Sequence, residues 1–376
     1  MISVKKEALL VGPGSVKPTS DQFEVIGTFN PGVARLPNDN IVMYVRVAEK
    51  LKLENTEDEH HYYAPRCVGE DTCKIHLDKF KKTDARVKSE RDIIFQDETK
   101  RLLFMSHFRK VILDKSGFNI KSIDKRPSFT GISTNGELGV EDPRITRLDD
   151  GRYAMTYVAL SRQGNISSSL ALSKDCENWK RVGTIFSEQN KDVVLFPEKI
   201  RDNYYIFNRP EGGFEFTPPH IWIATSKDLV EWGRNKPLKL SRKGRWDYER
   251  VGAGTPPIKT DKGWLLFYHG VINYRTRPFR KMFSILGQPM FSYEIGAALF
   301  DLKNPRKLLA KAPEPILGPT KDYEKTGFVN NVLFPTGLIH DIHDHDKLLV
   351  YSGGADTVVC VKKISLQDVM DSLEVV

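Results

Sequence analysis

The residues of this chain that could do chemistry are acids and bases gathered beside prolines. Glu141-Asp142-Pro143-Arg144 sets two carboxylates next to a guanidinium, and related groups stand at Asn30-Pro31, Pro197-Glu198-Lys199 and Asp356. Arg46, Asn208-Arg209, Arg250 and His269 occupy the strands that neighbour these turns. Carboxylates and cations meeting in one pocket would supply a proton donor beside an anion site, the requirement of general acid catalysis with an anionic co-reactant. Taken singly, each Asp or Asn is better explained as satisfying backbone N–H groups of its turn. Only convergence would make a site.

The elements that must converge are short strands. A Pro-containing turn, a brief strand, a polar turn and an aromatic-rich second strand recur five times, at 30–44, 141–157, 196–207, 255–268 and 334–351. A second repeated segment follows two of these hairpins: 171–179 and 224–232 share Ser-Lys-Asp-x-x-x-Trp, a tight turn followed by an aromatic able to cover a sheet. Repeats of this kind predict an all-β chain in which small sheets pack around an axis, a five-bladed β-propeller, with a β-sandwich as the alternative. In a propeller the innermost strands meet at a central mouth, which would bring Asn30, Glu141-Asp142, Arg144, Glu198-Lys199 and Asp356 together. Asp92–Phe95 with 101–105 lacks the Pro turn and reads as outer strands. Residues 50–88 and 274–291 read as insertions, and no linker divides 1–376, so one domain is expected.

Composition sets the outer bounds. The chain has 376 residues, 40% hydrophobic and 28% charged, enough apolar content to exclude disorder as its main state. No apolar run approaches the roughly 20 residues a membrane helix needs. Met1-Ile2-Ser3-Val4-Lys5-Lys6 and the short run after it make a poor secretory signal. The net charge of +8 comes from clusters scattered among acids, which reads as a solvated surface rather than a nucleic-acid face. A small anion held by a few converging cations stays open. Cys67, Cys73, Cys176 and Cys360 are too sparse for a disulfide framework, and Cys67 and Cys73 are read as unpaired. His340, His343 and His345 read as a solvated loop rather than a metal site. No glycine-rich nucleotide motif is present. The expectation is a cytoplasmic protein needing no metal or organic cofactor and binding neither nucleic acid nor membrane.

Six motifs in order then carry a family resemblance: Gly139-Val140-Glu141-Asp142-Pro143-Arg144, Leu195-Phe196-Pro197-Glu198-Lys199-Ile200, Val251-Gly252-Ala253-Gly254-Thr255-Pro256-Pro257-Ile258, Tyr268-His269-Gly270-Val271, Ile295-Gly296-Ala297-Ala298-Leu299-Phe300-Asp301-Leu302 and Gly354-Ala355-Asp356-Thr357. Together, from Asn30 to about Val361, they resemble glycoside hydrolase family 130, the β-mannoside phosphorylases and a smaller set of β-mannosidases. The resemblance implies a five-bladed propeller and an inverting reaction, in which phosphate displaces the acceptor from a terminal β-mannosyl unit and gives α-mannose 1-phosphate. It implies Asp142 as general acid, acting through the sugar's 3-hydroxyl. It implies Arg209, Arg250, His269 and Tyr293 for phosphate, and Asn30, Arg46 and Asp356 for the mannose.

An anionic nucleophile dispenses with the base that inverting hydrolysis requires and needs positive charge instead. Three departures from the family pattern fall here: Gln189-Asn190 where a basic residue is common, Arg250 for the usual Lys, and Glu249 beside it, a potential base for water. The partners expected are therefore a β-manno-oligosaccharide and inorganic phosphate. A β-mannosidase, a mannosyltransferase and a non-catalytic carbohydrate-binding propeller are the rivals. The 274–291 insertion leaves a lid or a homo-oligomer contact open.

Overall fold

The computed structural model describes residues 1–187, 189–212, 218–241, 243–273 and 291–376. The chain is all-β: among the described residues its helices are short, such as Asp322–Lys325 and Leu366–Asp371. Five larger antiparallel sheets follow one another. Sheet I contains Phe23–Arg35, Ile41–Leu51, Phe104–Leu113 and Ile120–Ile123; sheet II contains Gly139–Arg147, Tyr153–Ser161, Asn165–Ser173 and Lys180–Phe186. Sheet III contains Asn190–Leu195, Tyr204–Pro210, Trp222–Ser226 and Gly233–Pro237. Sheet IV is built on Val251–Ala253, Gly263–Asn273, Phe291–Phe300 and Leu308–Lys311. Sheet V contains Leu333–His340, Lys347–Gly354 and Val358–Ser365, and its outer strand is Val4–Val11 from the other end of the chain. Each Pro-marked hairpin of the sequence falls in a different sheet.

Middle strands such as Ile41–Leu51 and Gly263–Asn273 are almost wholly buried because both faces of each sheet are covered, so they read as continuous apolar runs rather than alternating ones. The core lies between sheets. Tyr44 and Phe108 of sheet I meet Ile145 and Met155 of sheet II; Leu170 of II meets Ile206 of III; Phe207 of III meets Trp264 and Phe300 of IV. Phe267 and Ile295 of IV meet Leu333 and Val350 of V, and Tyr351 and Val361 of V return to Val33 and Met43 of I. The leading strands follow the same order: Phe23–Arg35 packs on Gly139–Arg147, that strand on Asn190–Leu195, that one on Val251–Ala253, and Leu333–His340 packs on Phe23–Arg35.

The repeated Ser-Lys-Asp segments behave as their sequence predicts. Asp175 Oδ1 accepts the N–H groups of Glu177 and Asn178, and Asp228 Oδ1 those of Val230 and Glu231. Trp179 then packs edge-on against Tyr44, and Trp232 lies against Phe186.

Two expectations change. The first insertion extends past 88: a hairpin of His61–Val68 and Lys74–Lys81 is followed by a small sheet of Ala85–Lys88, Asp92–Phe95 and Lys100–Leu102, with its own core around Ala64, Ile93 and Leu103. Cys67 and Cys73 are not unpaired. They form a disulfide across that hairpin's turn, with Cα atoms 4.9 Å apart. Hairpin register, not spacing, brings them together: Val68 pairs with Lys74, which puts Cys73 one step beyond the ladder and within reach of Cys67. The second insertion lies outside the described residues except for Phe291.

Candidate active site

Leading strands of sheets I, II and III each carry a bulge at the same relative place. The ladder slips between Phe29 and Gly32, between Glu141 and Arg144, and between Lys191 and Val194. The residue inside each bulge is Asn30, Asp142 or Asp192, with φ of 48°, 50° and 54°. Asn and Asp tolerate this left-handed region best among side-chain-bearing residues. A bulge also turns its side chain away from the strand's alternation. Asp356, with φ 48°, makes the turn between the last two strands of sheet V.

One group forms around Asp142. Asn30 Nδ2 and Arg46 Nη1 both donate to Asp142 Oδ1 at 2.9 Å. Arg46 Nη2 donates to Glu141 and its Nε to Ser106 Oγ, while the guanidinium lies 4.6 Å over the Phe29 ring. Arg46 is thus fixed on several sides and ion-paired to two successive carboxylates. Burial pushes the Asp142 carboxyl up, but Arg46, Arg144, the Asn30 hydrogen bond and Lys191 outweigh it and hold the group below its ordinary value. Asp356 goes the other way: burial, then the charges of Asp142 and Glu141, raise it to about 6 against the pull of Arg46 and Lys191. Asp142 and Asp356 therefore differ in charge readiness: Asp142 stays ionised, while Asp356 takes up a proton once the pH falls to about 6.

A second group forms around Asp192, which is 3% exposed. Arg209 Nε donates to its Oδ2 at 2.7 Å, Arg144 Nη2 lies 3.5 Å from Oδ1, and His269 Nε2 is 3.6 Å from Oδ2. Arg209 Nη1 also pairs with Glu211. Arg144 donates to the carbonyls of Asp142 at 2.7 Å and Gly254 at 3.1 Å, which ties the two groups together. The His269 ring packs, tilted by 33°, against Phe334 with centroids 4.4 Å apart and lies 6.0 Å from the Tyr293 ring. Arg250 is close enough to act on both rings: burial raises the Tyr293 hydroxyl against the pull of Arg250 and Arg209, and Arg250 adds to the lowering of His269. Burial first, then Arg209, Arg144 and Arg250, push His269 down to about 3 despite Asp192, so its imidazole is neutral at physiological pH. Three guanidinium groups against the carboxylates of Asp192 and Glu211 leave this group net positive, the electrostatic condition for holding an anion.

The structure brings Asn30, Arg46, Asp142 and Asp356 into one cluster, and Arg209, Arg250, His269 and Tyr293 into an adjoining one. It does not bring Glu198-Lys199 there. Pro197 accepts the N–H of Asp149 in the turn at the far end of sheet II, Glu198 pairs with Lys259, and Lys199 covers the Tyr204 ring. The proline that follows the bulge directly in Asn30-Pro31 and Asp142-Pro143 comes five residues after it in sheet III, so aligning hairpins by proline selects the wrong end of the strand. The residue at the true equivalent position, Asp192, was missed. Its signal is the charged pair Lys191-Asp192 entering an apolar strand as Glu141-Asp142 does. Next to Gln189-Asn190, where a basic residue was sought, stands Lys191, whose charge acts on both Asp142 and Asp356. Among the described residues no group of acids, histidines and cysteines has metal-binding geometry. His340 Nδ1 instead faces the carbonyl of His345.

The comparisons with known proteins place this all-β chain among carbohydrate-active enzymes. Residues 114–375 match the family described as beta-1,4-mannooligosaccharide phosphorylase, and the chain belongs to glycoside hydrolase family 130. It is similar to the beta-1,2-mannobiose phosphorylase of Listeria innocua, 34% identical with 98% of each chain covered. The solved structure of a beta-1,2-mannobiose phosphorylase from Listeria innocua in complex with beta-1,2-mannobiose superposes with a TM-score of 0.80, at 33% identity and 96% of each chain. A 1,2-beta-oligomannan phosphorylase of Thermoanaerobacter is 37% identical over 68% of this chain and 78% of its own.

Proposed function

We propose that this protein is an inverting β-mannoside phosphorylase acting on β-1,2-linked manno-oligosaccharides. Phosphorolysis of β-mannosides is what its similarity to the named phosphorylases supports, and the β-1,2 linkage follows the relatives of highest identity. The observation that carries the reading is the net positive cluster of Arg144, Arg209 and Arg250 directly adjoining Asp142. In this reading Asn30, Arg46 and Asp356 hold the terminal mannose by its hydroxyls. Arg209, Arg250, His269 and Tyr293 hold phosphate on the face opposite the departing oxygen.

A phosphate oxygen attacks the anomeric carbon as the glycosidic C–O bond breaks, and the leaving oxygen takes a proton from Asp142 through the 3-hydroxyl. Asp142 is ionised in the ligand-free site. A bound phosphate would draw on the positive charge of Arg144, weaken the hold on the carboxylate and raise its proton affinity. Phosphate is co-substrate, and no metal or organic cofactor has a step in this chemistry. We further assign the fold as a single five-bladed β-propeller: one hairpin type per sheet, cores between successive sheets and packing of the last leading strand on the first all support it. A cytoplasmic site of action suits the phosphate requirement, and the Cys67–Cys73 bridge is the feature that weighs against a reducing compartment.

The test is turnover of β-1,2-mannobiose with and without phosphate. Release that requires phosphate and yields mannose 1-phosphate supports the reading. Equal release of free mannose without phosphate would establish a hydrolase, with Glu249 the carboxylate to examine.

A further inference from the structure

Asp192 is a buried carboxylate at a left-handed bulge, and the mechanism above gives it no role. It is also the point on which the second cluster is assembled. Its Oδ2 takes Arg209 Nε at 2.7 Å and faces His269 Nε2 at 3.6 Å, and its Oδ1 faces Arg144. Space for this arrangement is made at Gly252. A Cβ there would lie 2.1 Å from Asp192 Oδ2, 2.3 Å from His269 Cε1 and 2.8 Å from His269 Nε2. The backbone of the Val-Gly-Ala-Gly segment therefore presses against both side chains at once.

The other ring nitrogen of His269, Nδ1, is buried and has no hydrogen-bond partner among the described residues. A neutral imidazole carries one N–H and one bare acceptor nitrogen, and the group facing one nitrogen decides which is which. A carboxylate oxygen near Nε2 favours the proton there. Nδ1 is then a buried acceptor beside the guanidinium donors of Arg209 and Arg250, with the Asp192 and Glu211 carboxylates already engaged by Arg209. Inorganic phosphate at neutral pH retains a hydroxyl that can donate to such an acceptor; sulfate, of the same shape and charge, has none.

We propose that Asp192 is a positioning residue that orients Arg209 and sets the His269 tautomer, so that Nδ1 accepts the hydroxyl of phosphate and the site discriminates phosphate from sulfate. The proposal rests on the phosphorylase reading and deepens it. Leaving a buried acceptor unpaired is costly, so wild-type protein is expected to bind sulfate roughly ten-fold or more weakly than phosphate. Asp192→Asn offers an amide that can donate to Nε2, releasing the tautomer and letting Nδ1–H meet either anion. It is expected to bring the two affinities within about three-fold of each other, whatever the overall loss.

The experiment is calorimetric titration of the wild type and D192N with inorganic phosphate and, separately, sulfate. Circular dichroism and thermal melting check that the variant is folded. Phosphate-dependent turnover is followed in parallel, with sulfate as competitor. A wild type that turns over with phosphate yet binds sulfate equally well overturns this inference while leaving the phosphorylase reading standing. A folded D192N that weakens both anions by the same factor also overturns it, because Asp192 would then be only structural. Should D192N fail to fold, the wild-type ratio and that of His269→Gln decide: Gln fixes no tautomer, so a ratio unchanged from the wild type refutes the proposal. Absence of phosphate-dependent turnover would instead remove the parent reading.

Discussion

Replacing Gly252 with alanine adds one methyl group and alters no charge, yet the geometry of the site predicts a large effect. Gly252 is outside the left-handed region, so its backbone accepts alanine without strain. The new Cβ would be 2.1 Å from Asp192 Oδ2 and 2.3 Å from His269 Cε1, more than 1 Å inside a contact distance of about 3.5 Å. Neither neighbour yields freely: Asp192 is bound to Arg209, and His269 is packed against Phe334. The cluster must therefore shift by about 1 Å or more, a displacement that costs on the order of 100-fold in rate at a reacting centre. Overpacking of a buried site costs roughly 1–3 kcal/mol of stability, which a domain of this size survives. Initial rates of phosphorolysis should be measured at varied phosphate and saturating mannoside. The expected result is a collapse of kcat/KM for phosphate by about two orders of magnitude, with the KM for the mannoside changed only a few-fold. A G252A enzyme with wild-type phosphate kinetics would refute the claim that Asp192 and His269 build the anion site.

Three further outcomes follow from other parts of the structure. Asp142→Asn should lower kcat by roughly 10²–10⁴-fold, the usual worth of a general acid, while mannobiose binding by calorimetry is largely kept. Asp356→Asn should stabilise the ligand-free protein at pH 7–8. The acid sits at about 6 when folded against 3.8 ordinarily, so its burial lowers stability as pH rises from 4 to 6 and keeps it lowered above. The difference of about 2 units sets an upper bound of about 3 kcal/mol, vanishing below pH 4. Urea unfolding across pH 4–8 reads it, and a variant no more stable than wild type at pH 8 would contradict it. Cys73→Ser should cost about 2 kcal/mol or less, the loop-closure worth of so short a ring, visible as a lower thermal midpoint; oxidised wild-type protein should be 2 Da lighter than its reduced form by mass spectrometry.

Much of the fold was legible because each sheet repeats the same local chemistry. A Pro turn, an aromatic-rich second strand and the Ser-Lys-Asp turn are short-range signals, and short-range signals survive in sequence. The clustering of Asn30 with Asp142 was legible for the same reason, since each immediately precedes a proline. Asp192 was hidden because its proline lies at the opposite end of the strand. Its importance comes from Arg144, Arg209 and His269, contributed by three different sheets. The Cys67–Cys73 bridge was likewise invisible to spacing, because a hairpin's register decides which residues face each other.

The central claim is that a cationic cradle faces Asp142 across the bound sugar. A crystal structure of the protein soaked with phosphate and mannose tests it most directly. The account predicts an anion within hydrogen-bond distance of Arg209, Arg250 and His269, on the face of the mannose ring opposite its anomeric oxygen, with the 3-hydroxyl toward Asp142. A water held by Glu249 over the anomeric carbon, with the anion bound elsewhere, would contradict it.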